Sequence, residues 1–132
     1  MALKDSLLTH AARSGIAQAN FGATELAAVT GVQIPGGAKN YDLVAEFNCS
    51  SVSAAGGAGN FVLAVYSSAT LGGTYTKIAQ TTVAVAVAAT GATYRVAFSS
   101  PDGNEYFKAI PDSATTTTGL ITYTASYVNT NP

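Results

Sequence analysis

YDLVAEFNCSSVSAAGGAGNFVLAVYSS, residues Tyr41 to Ser68, opens with strict alternation. Tyr41, Leu43, Ala45, Phe47 and Cys49 fall on one side, and Asp42, Val44, Glu46 and Asn48 on the other. The closing run, Phe61 to Tyr66, is apolar on both sides, and the stretch between, Ser50 to Gly59, holds only Ser, Ala and Gly apart from Val52. A period of two bounded by small turn residues reads as two strands joined by a flexible loop.

The same grammar continues downstream. Thr74 to Gln80, Thr81 to Ala89, Thr93 to Ser99, Glu105 to Ile110 and Leu120 to Asn129 read as strands. They are separated by SSATLGG, by Thr90-Gly91, by the turn Pro101-Asp102-Gly103-Asn104 and by the Thr-rich stretch Asp112 to Gly119. Proline presets φ at a turn and glycine tolerates positive φ, so Pro111 is expected to close the strand before it. Upstream, Glu25 to Ile34 reads as a first strand ended by Pro35-Gly36-Gly37. Seven or eight strands at this spacing predict a sandwich or a barrel.

Met1 to Thr24 is the least strand-like part. Leu3, Leu7 and Ala11 recur at a helical interval for barely two turns, too short to stand alone. An arm that takes its shape from what it packs on fits equally. Asp5, His10 and Arg13 interrupt any hydrophobic region of a leader, so no signal peptide is expected.

At 132 residues one domain is expected, burying roughly 65–70% of the surface of its unfolded chain. Charged residues make up 10% of the chain, against about 25% in an ordinary soluble domain. Between Glu46 and Arg95 only Lys77 is charged, and from Ser113 to Pro132 nothing is. A net charge of −1 supplies no field to draw nucleic acid or an anionic membrane. The longest apolar run, the seven residues Val83 to Ala89, is far short of the roughly 20 that a membrane helix needs. A single Cys49 cannot form an internal disulfide, and its place on the apolar side predicts a buried, inert thiol.

Reactive chemistry is hard to assemble from these residues. Asp42 and Glu46, like Asp102 and Glu105, read as solvated carboxylates and not as a glycosidase pair. His10 is the one histidine, insufficient for a zinc site and lacking a nucleophile-elbow serine. It reads as a structural or surface residue. Gly31 to Lys39 lacks the Lys-Ser/Thr ending of a phosphate loop. Among the tyrosines, Tyr41, Tyr94, Tyr123 and Tyr127 fall on core sides, leaving Tyr66, Tyr75 and Tyr106 as the ones a sugar could stack on. No catalytic residue, cofactor or metal site is expected, and the chain reads as a non-enzyme.

TTVAVAVAA, Thr81 to Ala89, has no wettable side: Val83, Val85 and Val87 face one way, Ala84, Ala86 and Ala88 the other. Either the chain itself covers this strip, or Ala84, Ala86 and Ala88 form a subunit interface.

Three segments carry a resemblance. They are the arm DSLLTHAARSGIAQA, the stretch LAVYSSATLGGTYTKIA, and TGATYRVAFSSPDGNEYFKAI before a charge-free last strand. In their order the chain resembles tailed-phage head-decoration (capsid cement) proteins of the jelly-roll type. That resemblance implies a homotrimer on the outside of a capsid shell, bound to the major capsid protein and made in the host cytoplasm. Nucleic acid, membrane and small-molecule substrate have no part in it. The arm's Leu3, Leu7, Leu8, Ile16 and Phe21 would contact the capsid or a neighbouring subunit. Combined with the pattern, the expectation is an all-β chain: an antiparallel β-sandwich of jelly-roll type, with an arm over 1–24 and one domain over 25–132. The rival readings are a tail-tube or head-completion subunit, and a carbohydrate-binding sandwich on the same fold.

Overall fold

A computed structural model of the chain describes residues 3–34, 43–53, 59–84, 92–99, 104–115 and 119–129. The elements run β1 (Leu3–Thr9), β2 (Arg13–Ala17), a 3₁₀ turn (Gln18–Asn20), α1 (Ala23–Ala28), β3 (Val32–Gln33) and β4 (Leu43–Ser53). They continue through β5 (Asn60–Ser68), β6 (Thr76–Ala84), β7 (Ala92–Phe98), β8 (Tyr106–Ala114) and β9 (Leu120–Asn129).

Two antiparallel sheets pack face to face. Sheet A runs β1-β9-β4-β7, with β2 on the same edge of β9 as β1, and sheet B runs β3-β8-β5-β6. The pairings are nested: β1 with β9, β3 with β8, β4 with β7 and β5 with β6. The chain is thus one long antiparallel ladder, folded back between β5 and β6, whose successive pairs fall alternately in the two sheets. That wrapping is the jelly roll.

Alternation builds the core. Leu43, Ala45, Phe47 and Cys49 of β4 are buried, while Val44, Glu46 and Asn48 between them are partly exposed. Across the interior, Phe98, Phe107 and Tyr127 form a ring cluster with centroids 5.3, 5.7 and 6.1 Å apart, in the tilted and edge-to-face arrangements aromatic pairs prefer. Cys49 is 3% exposed, and burial pushes its thiol up to about 11.

Three segments differ from the sequence pattern. Residues 25–34 are not one strand. Ala23–Ala28 forms a short helix and only Val32–Gln33 pairs, because the Ala-Thr-Glu-Leu-Ala-Ala run favours helix. The N-terminal segment pairs with β9 and is extended in place of helical. Pro111 does not close β8, which continues to Ala114. It sits beside the irregularity in the β5–β8 register, beyond the reach of the two-residue β3, so its missing N–H breaks no ladder. Of the strip 81–89, Thr81 is half-buried, Thr82 exposed, Val83 buried and Ala84 exposed, and residues 85–89 lie outside the described residues. The described residues form nine strands where seven or eight were expected for the chain.

Among the described residues no helix is long and apolar enough to cross a membrane.

Candidate functional site

The N-terminal segment is where polar chemistry collects inside the fold. It runs along β9, Leu3 opposite Asn129, Thr9 opposite Ser126, and Ile16 opposite Ile121, with a break at residues 10–12. It then crosses to sheet B. Gly22, at φ 74° and ψ −124°, makes the corner, and its N–H donates to the Pro111 carbonyl at 3.1 Å. Only glycine populates such backbone readily. Leu8, Ile16 and Phe21 pack partly buried against the core, Phe21 edge-to-face on Phe61 at 5.2 Å. Leu7 lies in β1.

α1 bridges the sheets at this edge. Its Leu26 carbonyl accepts from Lys108 Nζ of β8 at 2.7 Å. Its Glu25, 1% exposed, accepts from Arg13 Nε (2.9 Å) and Nη2 (2.8 Å) of β2, and from the Tyr123 hydroxyl of β9 (2.6 Å). A carboxylate moved out of water costs several kcal/mol unless bonded, and three charge-assisted donors meet that demand. The Glu25 bond raises the Arg13 pKa, and burial together with Glu25 raises that of Tyr123.

His10 makes the second junction. It is 6% exposed, its Nε2 lies 2.6 Å from the Tyr127 hydroxyl, and the two rings meet edge-on at 5.3 Å. The imidazole also bonds the backbone of Thr30, and burial drives its pKa down to about 4. A neutral ring has one N–H. Spent on Thr30, it leaves Nε2 to accept from Tyr127. A cleft of about 320 Å³ opens beside it between residues 9–13 and 28–32.

The outer face of sheet A is open along β7, where Thr93, Arg95 and Ala97 are exposed, and closed at Ser126 and Val128 of β9, which are buried. Its cross-strand rows are Ala97–Val44–Val128, Arg95–Glu46–Ser126 and Thr93–Asn48–Thr124. Arg95 Nε meets Glu46 Oε2 at 3.2 Å, and Thr93 Oγ1 donates to Asn48 Oδ1 at 2.6 Å. The described side chains of this face are therefore mostly small and, with Arg95 paired to Glu46, nearly neutral.

On sheet B the tyrosines are largely engaged. Tyr66 donates to Asp112, which also pairs with Lys77 at 3.1 Å. Tyr75 donates to the Leu71 carbonyl at 2.8 Å, and Lys108 Nζ stands 4.4 Å over its ring. Tyr106 is half-buried. Ala84 ends β6, exposed and opposite Asn60, while Ala86 and Ala88 lie outside the described residues. Among the described residues no three His, Cys, Asp or Glu side chains converge as a metal site would require.

The sequence reading missed both junctions. The available signal was Tyr123 and Tyr127 on one inward side: a buried tyrosine hydroxyl needs a partner, and Glu25 and His10 were among the few polar residues able to supply one. Neither a family model nor a curated protein nor a solved structure matches this chain, so the likeness to decoration proteins rests on its own segments alone.

Proposed function

We propose that the chain is a non-enzymatic structural protein that decorates and cements a phage capsid, seated on the major capsid protein at the virion surface. The observation that supports this most is the outer face of sheet A. Thr93, Ala97, Val44, Asn48 and Thr124 form a face of neutral side chains whose described charges, Arg95 and Glu46, pair with each other. Such a surface suits close apposition to another protein with little desolvation of charge. The inward polar groups Arg13, Glu25, His10 and Tyr123 are consumed in holding the fold together, which suits a part whose work is binding. A homotrimer, with Ala84 at or near the subunit contact, completes the proposal.

Ala97 and Thr93 are exposed, so Ala97→Glu and Thr93→Glu alter the surface without touching the core. The wild-type protein is expected to co-purify with particles, to come off in mild denaturant, and to have the mass of a trimer when free. Both variants are expected to fold and to lose the particle. Undiminished particle binding by both would overturn the assignment of this face, and absence of the wild-type protein from any particle fraction would overturn the function. A ring or tube by mass would favour the tail-tube reading.

A further inference from the structure

We propose that His10 is an acid-sensitive lock on the N-terminal segment: neutral, it holds β1 and β2 on the edge of β9, and protonated, it lets them lift away. The lock is independent of the capsid reading. Its basis is position. Among the side chains described from Leu8 to Asn20, His10 alone is fully buried; the other inward polar tie, Arg13 to Glu25, is a third exposed and can rehydrate, so His10 is the segment's deepest anchor. That point ties three elements: the His10 N–H donates to the Ala125 carbonyl of β9 at 2.8 Å, its Nε2 takes the Tyr127 hydroxyl, and its ring holds Thr30 in the α1–β3 connection.

A proton on Nε2 turns an acceptor into a donor. The Tyr127 hydroxyl, fully buried, would then face a donor, and among the described residues His10 is its hydrogen-bond partner. Among the described residues the new charge would meet no free counter-ion. Lys108 of β8 is the nearby cation and opposes it, Tyr127 of β9 and Tyr75 are neutral, and Glu25 of α1 is already held by Arg13 of β2. The adjoining cleft gives water and a rotated ring a way out.

The sign follows from linkage. The ring is harder to protonate closed than open, so the closed state is fully favoured above the open-state pKa near 6.5 and loses ground as pH falls toward about 4. The opening equilibrium should rise about 30-fold by about pH 5 and about 300-fold by about pH 3.

Amide exchange, corrected for intrinsic rate, would read this. Between about pH 7 and pH 5, protection at His10 and at Ile16 and Ala17 should fall by about 20-fold, while Phe61 to Val65 of β5 stays protected. In His10→Gln, an uncharged side chain that can both donate and accept, the segment's protection should not change with pH. Equal loss in the variant, constant protection in the wild type, or simultaneous loss in β5 would each overturn the proposal. Direct titration of the wild-type imidazole by NMR needs no variant. A midpoint near 4 supports the lock, and one near 6.5 overturns it.

Discussion

Glu25 and Tyr123 stand 98 residues apart in the chain, yet the tyrosine hydroxyl donates to the carboxylate at 2.6 Å. With Arg13 bonded to both carboxylate oxygens, Nε sharing Oε2 with the tyrosine and Nη2 on Oε1, the cluster fastens three elements: the edge strand β2, the bridging helix α1 and the central strand β9. Its energy is conditional. A buried carboxylate stabilises only while its donors are present.

Glu25→Ala should therefore cost about 3 kcal/mol, at the lower end for a broken buried pair because Arg13 is a third exposed and can rehydrate. Tyr123→Phe, which removes one donor and leaves the ring, should cost about 1–2 kcal/mol. The double variant should cost less than the sum, since each change removes the same bond. Chemical denaturation with a common slope checks all three, and simple additivity would show the bond contributes nothing.

Gly22→Ala tests the corner between the sheets. At φ 74° a Cβ is strained, and it would lie 3.0 Å from the Asp112 carbonyl oxygen, which is backbone and cannot swing aside. The expected loss is about 1–3 kcal/mol, seen as a drop of several degrees in the thermal midpoint. Gly15 has a similar φ of 61° but open space around its Cβ position, so Gly15→Ala should lose less.

How much of this was legible beforehand depends on whether the signal is local. β4 and β7 announce themselves because each carries its own alternation and their burial follows it residue by residue, β9 does so as far as Ala125, and β5 shows as a short apolar run buried on both sides. The jelly-roll type was reached by resemblance and the strand order was not reached at all, because period and turns say nothing about which strand lies beside which. β1 and β2 could not be read. They are strands because β9 offers them a free edge, and their own composition points nowhere. α1 was masked by Val29, Val32 and Ile34, whose β-branching coloured the whole of 25–34. The two junctions were invisible for the same reason as the strand order. His10 with Tyr127 and Glu25 with Tyr123 meet across about a hundred residues, and no spacing rule operates at that range.

Cys49 offers a reporter of global unfolding. Its thiol is buried and pushed up to about 11, so at about pH 8 roughly one molecule in a thousand would carry a thiolate even if reagent reached it. Alkylation of the native protein should be at least about a hundred-fold slower than in denaturant, where about one thiol in ten is ionised. Destabilising changes such as Glu25→Ala should speed it in proportion to their effect on the unfolding equilibrium. Rapid labelling of the native wild type would mean that β4 opens locally.

Ser126 should behave in the opposite sense to every change above. It lies in the middle of the outer face of sheet A, between Thr9 of β1 and Glu46 of β4, yet is 1% exposed. Its hydroxyl is buried without a hydrogen-bond partner among the described residues. A hydroxyl withdrawn from water and left unbonded costs about 1–3 kcal/mol, and alanine removes that liability along with a single atom. Ser126→Ala should therefore leave stability unchanged or raise it by up to about 1 kcal/mol. Thermal and chemical denaturation of the variant check this. A clear loss of stability would mean that the hydroxyl has a partner in solution, and would mark that point of the face as hydrated.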